Sequence, residues 1–323
     1  MNIPTLYITV PCYNEEDALP ETTKHLLSVL SSLINEKIVA QQSRLLFIDD
    51  GSKDNTWMII KKFNSENPLV LGLKLSKNVG HQKALFSGLI HAKEYADCVI
   101  SMDADLQDDI WSVKEFVFKF LEGFEVVYGV RRSRNTDTWF KRWSAEAYYK
   151  CMNKLGIPLI YNHADYRLLS KRVLNNLSNF KEANLFLRGV IPLIGFRSTV
   201  VEYDRKERIA GESKYPLKKM LSLAWDGITS FSVKPIRLVT VLGFISLAIC
   251  LVAALYAFVS KLLNYTVSGW TSLMLSIWFI GSIQLLALGV IGEYIGKIYA
   301  EVKGRPLFIS EELLIDEQAN SKN

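Results

Sequence analysis

The chain has 323 residues, 49% of them hydrophobic, and a formal net charge of +5 at pH 7. Its four cysteines, Cys12, Cys98, Cys151 and Cys250, lie far apart with no Cys-x-x-Cys pair, so neither a disulfide framework nor a zinc site is indicated. About 230 residues suffice for one large α/β domain with an ample core, which leaves a C-terminal remainder of different character.

The apolar run Leu6-Tyr7-Ile8-Thr9-Val10 stops at Pro11-Cys12-Tyr13-Asn14-Glu15-Glu16 and gives way to helical spacing through Leu19, Leu26, Leu27 and Leu30. A second run, Leu45-Leu46-Phe47-Ile48, ends in Asp49-Asp50-Gly51-Ser52, with a helix after it carrying Trp57, Ile59, Ile60 and Phe63. Residues 70–75 predict a third strand before Asn78-Val79-Gly80 and another helix, and residues 97–102 a fourth, which runs into Asp103-Ala104-Asp105-Leu106-Gln107. Strands alternating with helices imply a largely parallel sheet covered on both faces, and the loops after such strands collect on one edge. Tyr13, Glu15, Asp50, Asp103 and Asp105 are therefore expected to converge.

Carboxylates at i and i+2 behind a buried strand suit a hard cation, Mg2+ or Mn2+, that shares its ligands with substrate phosphates. There is no Gly-x-Gly-x-x-Gly turn after the first strand and no Gly-x-x-x-x-Gly-Lys-Ser/Thr loop, which argues against a nicotinamide enzyme and a P-loop hydrolase. His25 and His91 fall in helical stretches, whereas His81 follows Gly80 in a loop facing the expected site.

Basic residues gather at Arg131, Arg132, Arg134, Lys141 and Arg142, and again from Arg205 to Lys219. Residues 139–155 mix aromatic and basic side chains and read either as an interfacial amphipathic helix or as a core-facing one; residues 215–232 invite the same two readings. Two stretches, about 237–261 and 270–293, carry no charge between Arg237 and Lys261 and between Lys261 and Glu293, and each is long enough to cross a hydrocarbon layer. Lys234 and Arg237 precede the first and Lys297, Lys303 and Arg305 follow the second, so both termini are expected in the cytoplasm, and no cleavable signal is expected at the start. A basic groove beside two spans meets membrane lipids of anionic charge more naturally than nucleic acid. The Gly292-x-x-x-Gly296 spacing permits close helix packing and hence a homo-oligomer.

Taken in order, Pro11 to Glu16, Asp49 to Ser52, Asn78-Val79-Gly80 with Ala84 and Gly88, and Asp103 to Asp108 resemble the motifs of the GT-A, family 2 glycosyltransferases. The resemblance is to the membrane-bound polyprenyl-phosphate enzymes related to dolichol-phosphate mannose synthase and bactoprenol glucosyltransferase. Residues 126–131, Asp165-Tyr166-Arg167 and residues 205–215 look like their later motifs, so that nearly the whole chain is covered. The resemblance implies an α/β GT-A domain over residues 1–235, a two-helix transmembrane hairpin over 236–298 and a cytoplasmic tail over 299–323. It also implies an inverting transfer of one sugar, glucose or N-acetylglucosamine, from a UDP-sugar to undecaprenyl phosphate at the cytoplasmic face of the inner membrane. Asp105 would hold the metal, with Gln107 and Asp103 near the ion or the ribose, and Pro11, Tyr13, Glu15 and Asp50 around the base and ribose. Arg205, Arg208 and Lys214 would lie in a segment that folds over donor and acceptor.

A phosphomonoester acceptor with a second pKa of ~6 needs positioning more than deprotonation. Arginine forks suit that task, with Arg131 first, then Arg134 and Arg167. Asp165 either orients Arg167 or sits beside the acceptor, and whether any carboxylate is a general base stays open. A processive polysaccharide synthase is disfavoured, because the Gln-x-x-Arg-Trp element is missing and two spans are few for an export channel. Intact Asp103, Asp105, Arg131 and Arg208 count against a non-catalytic membrane partner.

Overall fold

The computed structural model describes residues 3–132, 163–204, 234–262 and 269–314. The chain divides into two compact units, one made of residues 1–153, 158–216 and 306–323, the other of 154–157 and 217–305.

In the first unit the predicted alternation is present as β1 (Leu6–Cys12), α1 (Leu19–Asn35), β2 (Arg44–Asp49), α2 (Thr56–Glu66), β3 (Val70–Leu75), α3 (His81–Ala92), β4 (Cys98–Ser101) and α4 (Ser112–Leu121). There follow β5 (Val126–Arg131), β6 (His163–Ser170), α5 (Lys171–Leu177), α6 (Leu187–Leu193), β7 (Ser198–Tyr203) and β8 (Ser310–Leu314). All seven residues of β1 are buried, as expected of a central strand covered by helices on both faces. Helix α1 starts with Pro20 in its first turn and buries Leu19, Leu26 and Leu30 of the predicted spacing together with Val29 and Leu33, while Leu27 is half-buried against the core.

The strands form one sheet in the order β7-β5-β6-β4-β1-β2-β3-β8. From β1 the chain builds outward through β2 and β3, then returns to place β4 on the other side of β1, and all these pairings are parallel. The order therefore reverses between β1 and β4, the place beyond the strand ends where open α/β sheets form their ligand crevice. Pro11 sits in β1 past the end of its pairing with β4, which stops at Thr9↔Ser101.

Two strands depart from the parallel pattern. β6 runs antiparallel between β4 and β5, and β8 antiparallel along β3. Residues from Ser310 onward read as a polar tail, yet 310–314 cover the sheet edge. Its acidic residues find partners there: Glu312 accepts from Trp57 Nε1 at 3.0 Å and pairs with Lys61 at 2.8 Å, while Glu311 meets Lys74 at 2.9 Å. The edge of the sheet then falls on β8, a strand of five residues carrying two glutamates, and a short, charged edge discourages uncontrolled strand pairing.

In the second unit α7 (Lys234–Leu262) and α8 (Trp270–Val302) follow one another and touch. Among the described residues one stretch, Ser276–Val302, is long and apolar enough to cross a membrane, and its Trp278, Phe279, Leu285 and Leu288 are exposed.

Candidate active site

The loops after the parallel strands are laced together along one sheet edge. From the β1 loop, Asn14 N–H donates to Ser52 Oγ at 3.0 Å, Glu15 N–H to Thr56 Oγ1 at 2.9 Å, and Glu16 N–H to Asp54 Oδ2 at 3.2 Å. Asn14 takes a φ of 53°, a conformation asparagine tolerates better than most residues. Tyr13 is left exposed and Glu15 half-buried, while Pro11 is buried.

Asp50 is buried at 2% exposure, and its two carboxylate oxygens accept from Val79 N–H at 2.7 Å and Gly80 N–H at 3.0 Å. Burial raises its pKa against the effect of those amides. Asp50 therefore braces the β3 loop. Asp49, beside it, accepts from Ser52 N–H through Oδ1, while Oδ2 is buried without a hydrogen-bond partner among the described residues. Gly51 lets the two loops touch: its φ is +65°, and a Cβ there would meet Asn78 N and Lys77 C at 2.6 Å. Gly51→Ala should cost at least about 1–3 kcal/mol, since both the left-handed backbone and the backbone clash oppose it. Thermal unfolding of the purified variant checks this, and an unchanged midpoint would contradict it.

After β4, exposure alternates. Asp103, Asp105 and Gln107 are half-buried, whereas Ala104, Leu106 and Asp108 are buried. Thr22 Oγ1 holds Ala104 C=O at 2.6 Å, Asp105 Oδ1 accepts from Gln107 N–H at 3.2 Å, and Leu106 is held at a φ of 54°, uncommon for such a side chain. Among the described residues no cluster of three or more His, Cys, Asp or Glu could enclose an ion alone. Two accessible carboxylates and an amide oxygen do fit a magnesium-like cation that takes its other ligands from phosphates and water.

Asp165, in β6, is the hub of a second cluster. Oδ1 accepts from Arg167 Nη2 and from Arg188 Nε at 3.1 Å; Oδ2 accepts from Arg188 Nη2 at 3.0 Å and Gln82 Nε2 at 3.2 Å. His81 Nε2 lies 3.5 Å from Asp165 Oδ2 and 3.6 Å from Asp103 Oδ1. Burial alone would raise the Asp165 pKa, but Arg188, Arg167 and His81 together hold it well below the usual carboxylate range. Burial also opposes the charged imidazole of His81, yet the hydrogen bond to Asp165 and the charges of Asp103 and Asp165 bring its pKa up to about 9.

The expectation that Arg167 presents itself to an acceptor phosphate is corrected here. Its side chain is 1% exposed, enclosed on β6 between β4 and β5 and bound to Asp165. Asp165 thus orients Arg167, one of the two readings its position allowed. Arg131, at the end of β5, is accessible, and pairs with Asp108 Oδ1 and Tyr203 Oη, each at 3.4 Å. Asp108 is buried, which is the main reason its pKa rises to about 6, with Asp103 adding and Arg131 opposing. Arg134, Arg205, Arg208 and Lys214, and both candidate amphipathic stretches, lie outside the described residues.

His81, Gln82, Arg188, Asp108 and Tyr203 join the site without having been assigned roles from sequence. A signal existed for three of them: His81 follows Gly80 beside the expected site, where the structure makes it the first residue of α3, Asp108 closes the 103–108 motif, and Arg188 is a lone charge in the otherwise apolar helix Leu187–Leu193.

Residues 7–178 match the model of glycosyl transferase family 2, and residues 234–298 that of the GtrB C-terminal hairpin. The chain is 58% identical over 315 residues to the uncharacterized glycosyltransferase YkoT of Bacillus subtilis (strain 168), covering 98% of this chain and 94% of that one. It is 40% identical over 304 residues to the SfII prophage-derived bactoprenol glucosyl transferase of Shigella flexneri, covering 94% and 96%. A prophage bactoprenol glucosyl transferase homolog of Escherichia coli (strain K12) is 38% identical over the same length, covering 94% and 97%.

Proposed function

Because the chain belongs to glycosyl transferase family 2 and is a glycosyltransferase, we propose that it moves one sugar, glucose first, from its UDP-sugar to undecaprenyl phosphate. The observation that carries this is the β4 loop at the β1/β4 reversal, where Asp103, Asp105 and Gln107 are half-buried at alternate positions. Relatives named as bactoprenol glucosyl transferases over almost their full length support the acceptor class.

Asp103, Asp105 and Gln107 would hold a Mg2+ or Mn2+ ion together with the donor diphosphate, and the ion supplies Lewis-acid neutralisation of the leaving group. Tyr13 and Glu15 line the side of the crevice where the base and ribose would lie. Arg131 binds the acceptor phosphate, helped by Arg134, Arg205, Arg208 and Lys214 from the segments beyond. The acceptor oxygen is already largely ionised near neutral pH, so no side chain need take its proton. Asp165, saturated by two arginines, a glutamine and a histidine, shapes the wall and is not a base.

The catalytic unit would work at the cytoplasmic face of the inner membrane, with α7 and α8 as a two-pass anchor. Lys234 and Arg237 before the hairpin, and Lys297, Lys303 and Arg305 at and after its end, support that orientation.

The test is transfer of radiolabelled sugar into the organic phase by purified full-length protein, with undecaprenyl phosphate, manganese or magnesium, and a panel of UDP- and GDP-sugars. Label is expected with one UDP-sugar and should vanish with EDTA. Label from no donor, or label indifferent to EDTA, would overturn the reaction or the metal assignment respectively.

A further inference from the structure

The loop that faces the donor diphosphate also reaches the arginine assigned to the acceptor. Asp108 directly follows Gln107 but points the opposite way, into the protein, where it is 4% exposed. Tyr203 Oη donates to Asp108 Oδ1 at 2.6 Å, a tight bond, and Arg131 approaches the same oxygen through Nη2 and the phenol through Nε, each at 3.4 Å. The three groups close a triangle around one edge of the guanidinium, while a quarter of the Arg131 side chain stays accessible.

The surrounding fold is shaped to hold this triangle. β5 and β7 pair with Arg131 opposite Tyr203. Tyr203 packs edge-on against Tyr166 at 5.3 Å, and the Tyr166 hydroxyl donates to Asp109 C=O at 3.0 Å, so the backbone next to Asp108 is pinned as well. Gly129 makes room: a Cβ there would meet Tyr166 O at 2.8 Å and Tyr203 Cε1 at 3.0 Å. A carboxylate this deeply buried is costly unless paired, and an apolar residue would pack there more cheaply. A role for its charge is the simplest reason to keep it.

We infer that Asp108 and Tyr203 are positioning residues that aim the Arg131 guanidinium at the acceptor phosphate, linking acceptor placement to the loop that holds the donor. This rests on the reading that Arg131 binds the lipid phosphate. Asp108 anchors one edge of the fork through Nη2, which fixes the plane of the donors available for a two-point phosphate contact.

The experiment measures KM for undecaprenyl phosphate and for the sugar donor separately, using full-length enzyme in detergent. The variants are Asp108→Asn, Tyr203→Phe, Arg131→Ala and the Asp108→Asn/Arg131→Ala pair, each with its thermal midpoint. Asp108→Asn and Tyr203→Phe should raise the acceptor KM about tenfold and leave the donor KM within about twofold. In the Arg131→Ala background, Asp108→Asn should add nothing, because it acts through the missing arginine. Equal rises in both KM values, or full additivity in the double variant, would make the pair merely structural and overturn the inference. An Arg131→Ala variant with unchanged acceptor KM would sink the Arg131 assignment itself. Tyr203→Phe, which keeps the ring packing, carries the test if Asp108→Asn does not fold.

Discussion

Asp105→Ala should abolish formation of the lipid-linked sugar, by about 10³-fold or more, with the folded protein intact. The size follows from losing a ligand that helps place several kcal/mol of charge neutralisation at the departing diphosphate. The fold survives because Asp105 is half-buried in a loop, outside the buried core of the sheet. Radiolabel transfer with saturating manganese, beside a thermal unfolding curve, separates the two effects. Product at near wild-type rates would remove Asp105 from the metal site; a large fall in the midpoint would mean that its role is partly architectural.

Asp165→Ala should have the largest effect on stability. Arg167, at 1% exposure, would lose its carboxylate partner, and Arg188, Gln82 and His81 would lose their common acceptor. Leaving a buried charge unpaired costs about 3–5 kcal/mol, enough to unfold a marginal domain. Asp165→Asn keeps an acceptor oxygen and should cost less. The same cluster sets an acid limit. The fold favours the ionised Asp165, so its contribution is complete above the unfolded carboxylate pKa of ~3.9 and is withdrawn as pH falls through the depressed folded value. Denaturant unfolding of both variants and wild type from pH 7 downward checks this. A variant within about 1 kcal/mol of wild type would show that the arginines find other partners.

How far the site could be read in advance depended on whether a residue's role was local. Asp103, Asp105 and Gln107 lie at spacing two, so one loop conformation gives all three the same half-buried exposure, and their chemistry is evident from their types. Asp165 and Arg167 also lie two apart on one strand, which puts them on the same face and made their pairing a legible alternative. Whether that face was open to an acceptor or closed was not legible, because it depends on β6 being inserted antiparallel between β4 and β5. Arg188, 23 residues beyond Asp165, took the accessible place beside it.

By itself the sequence determined the alternation of strands and helices, the acidic loop behind β4 and the long apolar C-terminal stretches. Each of these is written in periodicity, in composition or in residues within one turn of each other, where covalent spacing dictates geometry. Only the tertiary structure decided that Asp50 turns inward to hold the β3 loop, that Asp165 is saturated by Arg167 on its own strand and by groups from two other segments, that Asp108 and Tyr203 grip Arg131, and that residues 310–314 pair along β3. Those outcomes rest on register and burial between residues tens to hundreds of positions apart. A carboxylate's partner there is set by which strand becomes its neighbour, and nothing in the local chemistry of the chain distinguishes one neighbour from another.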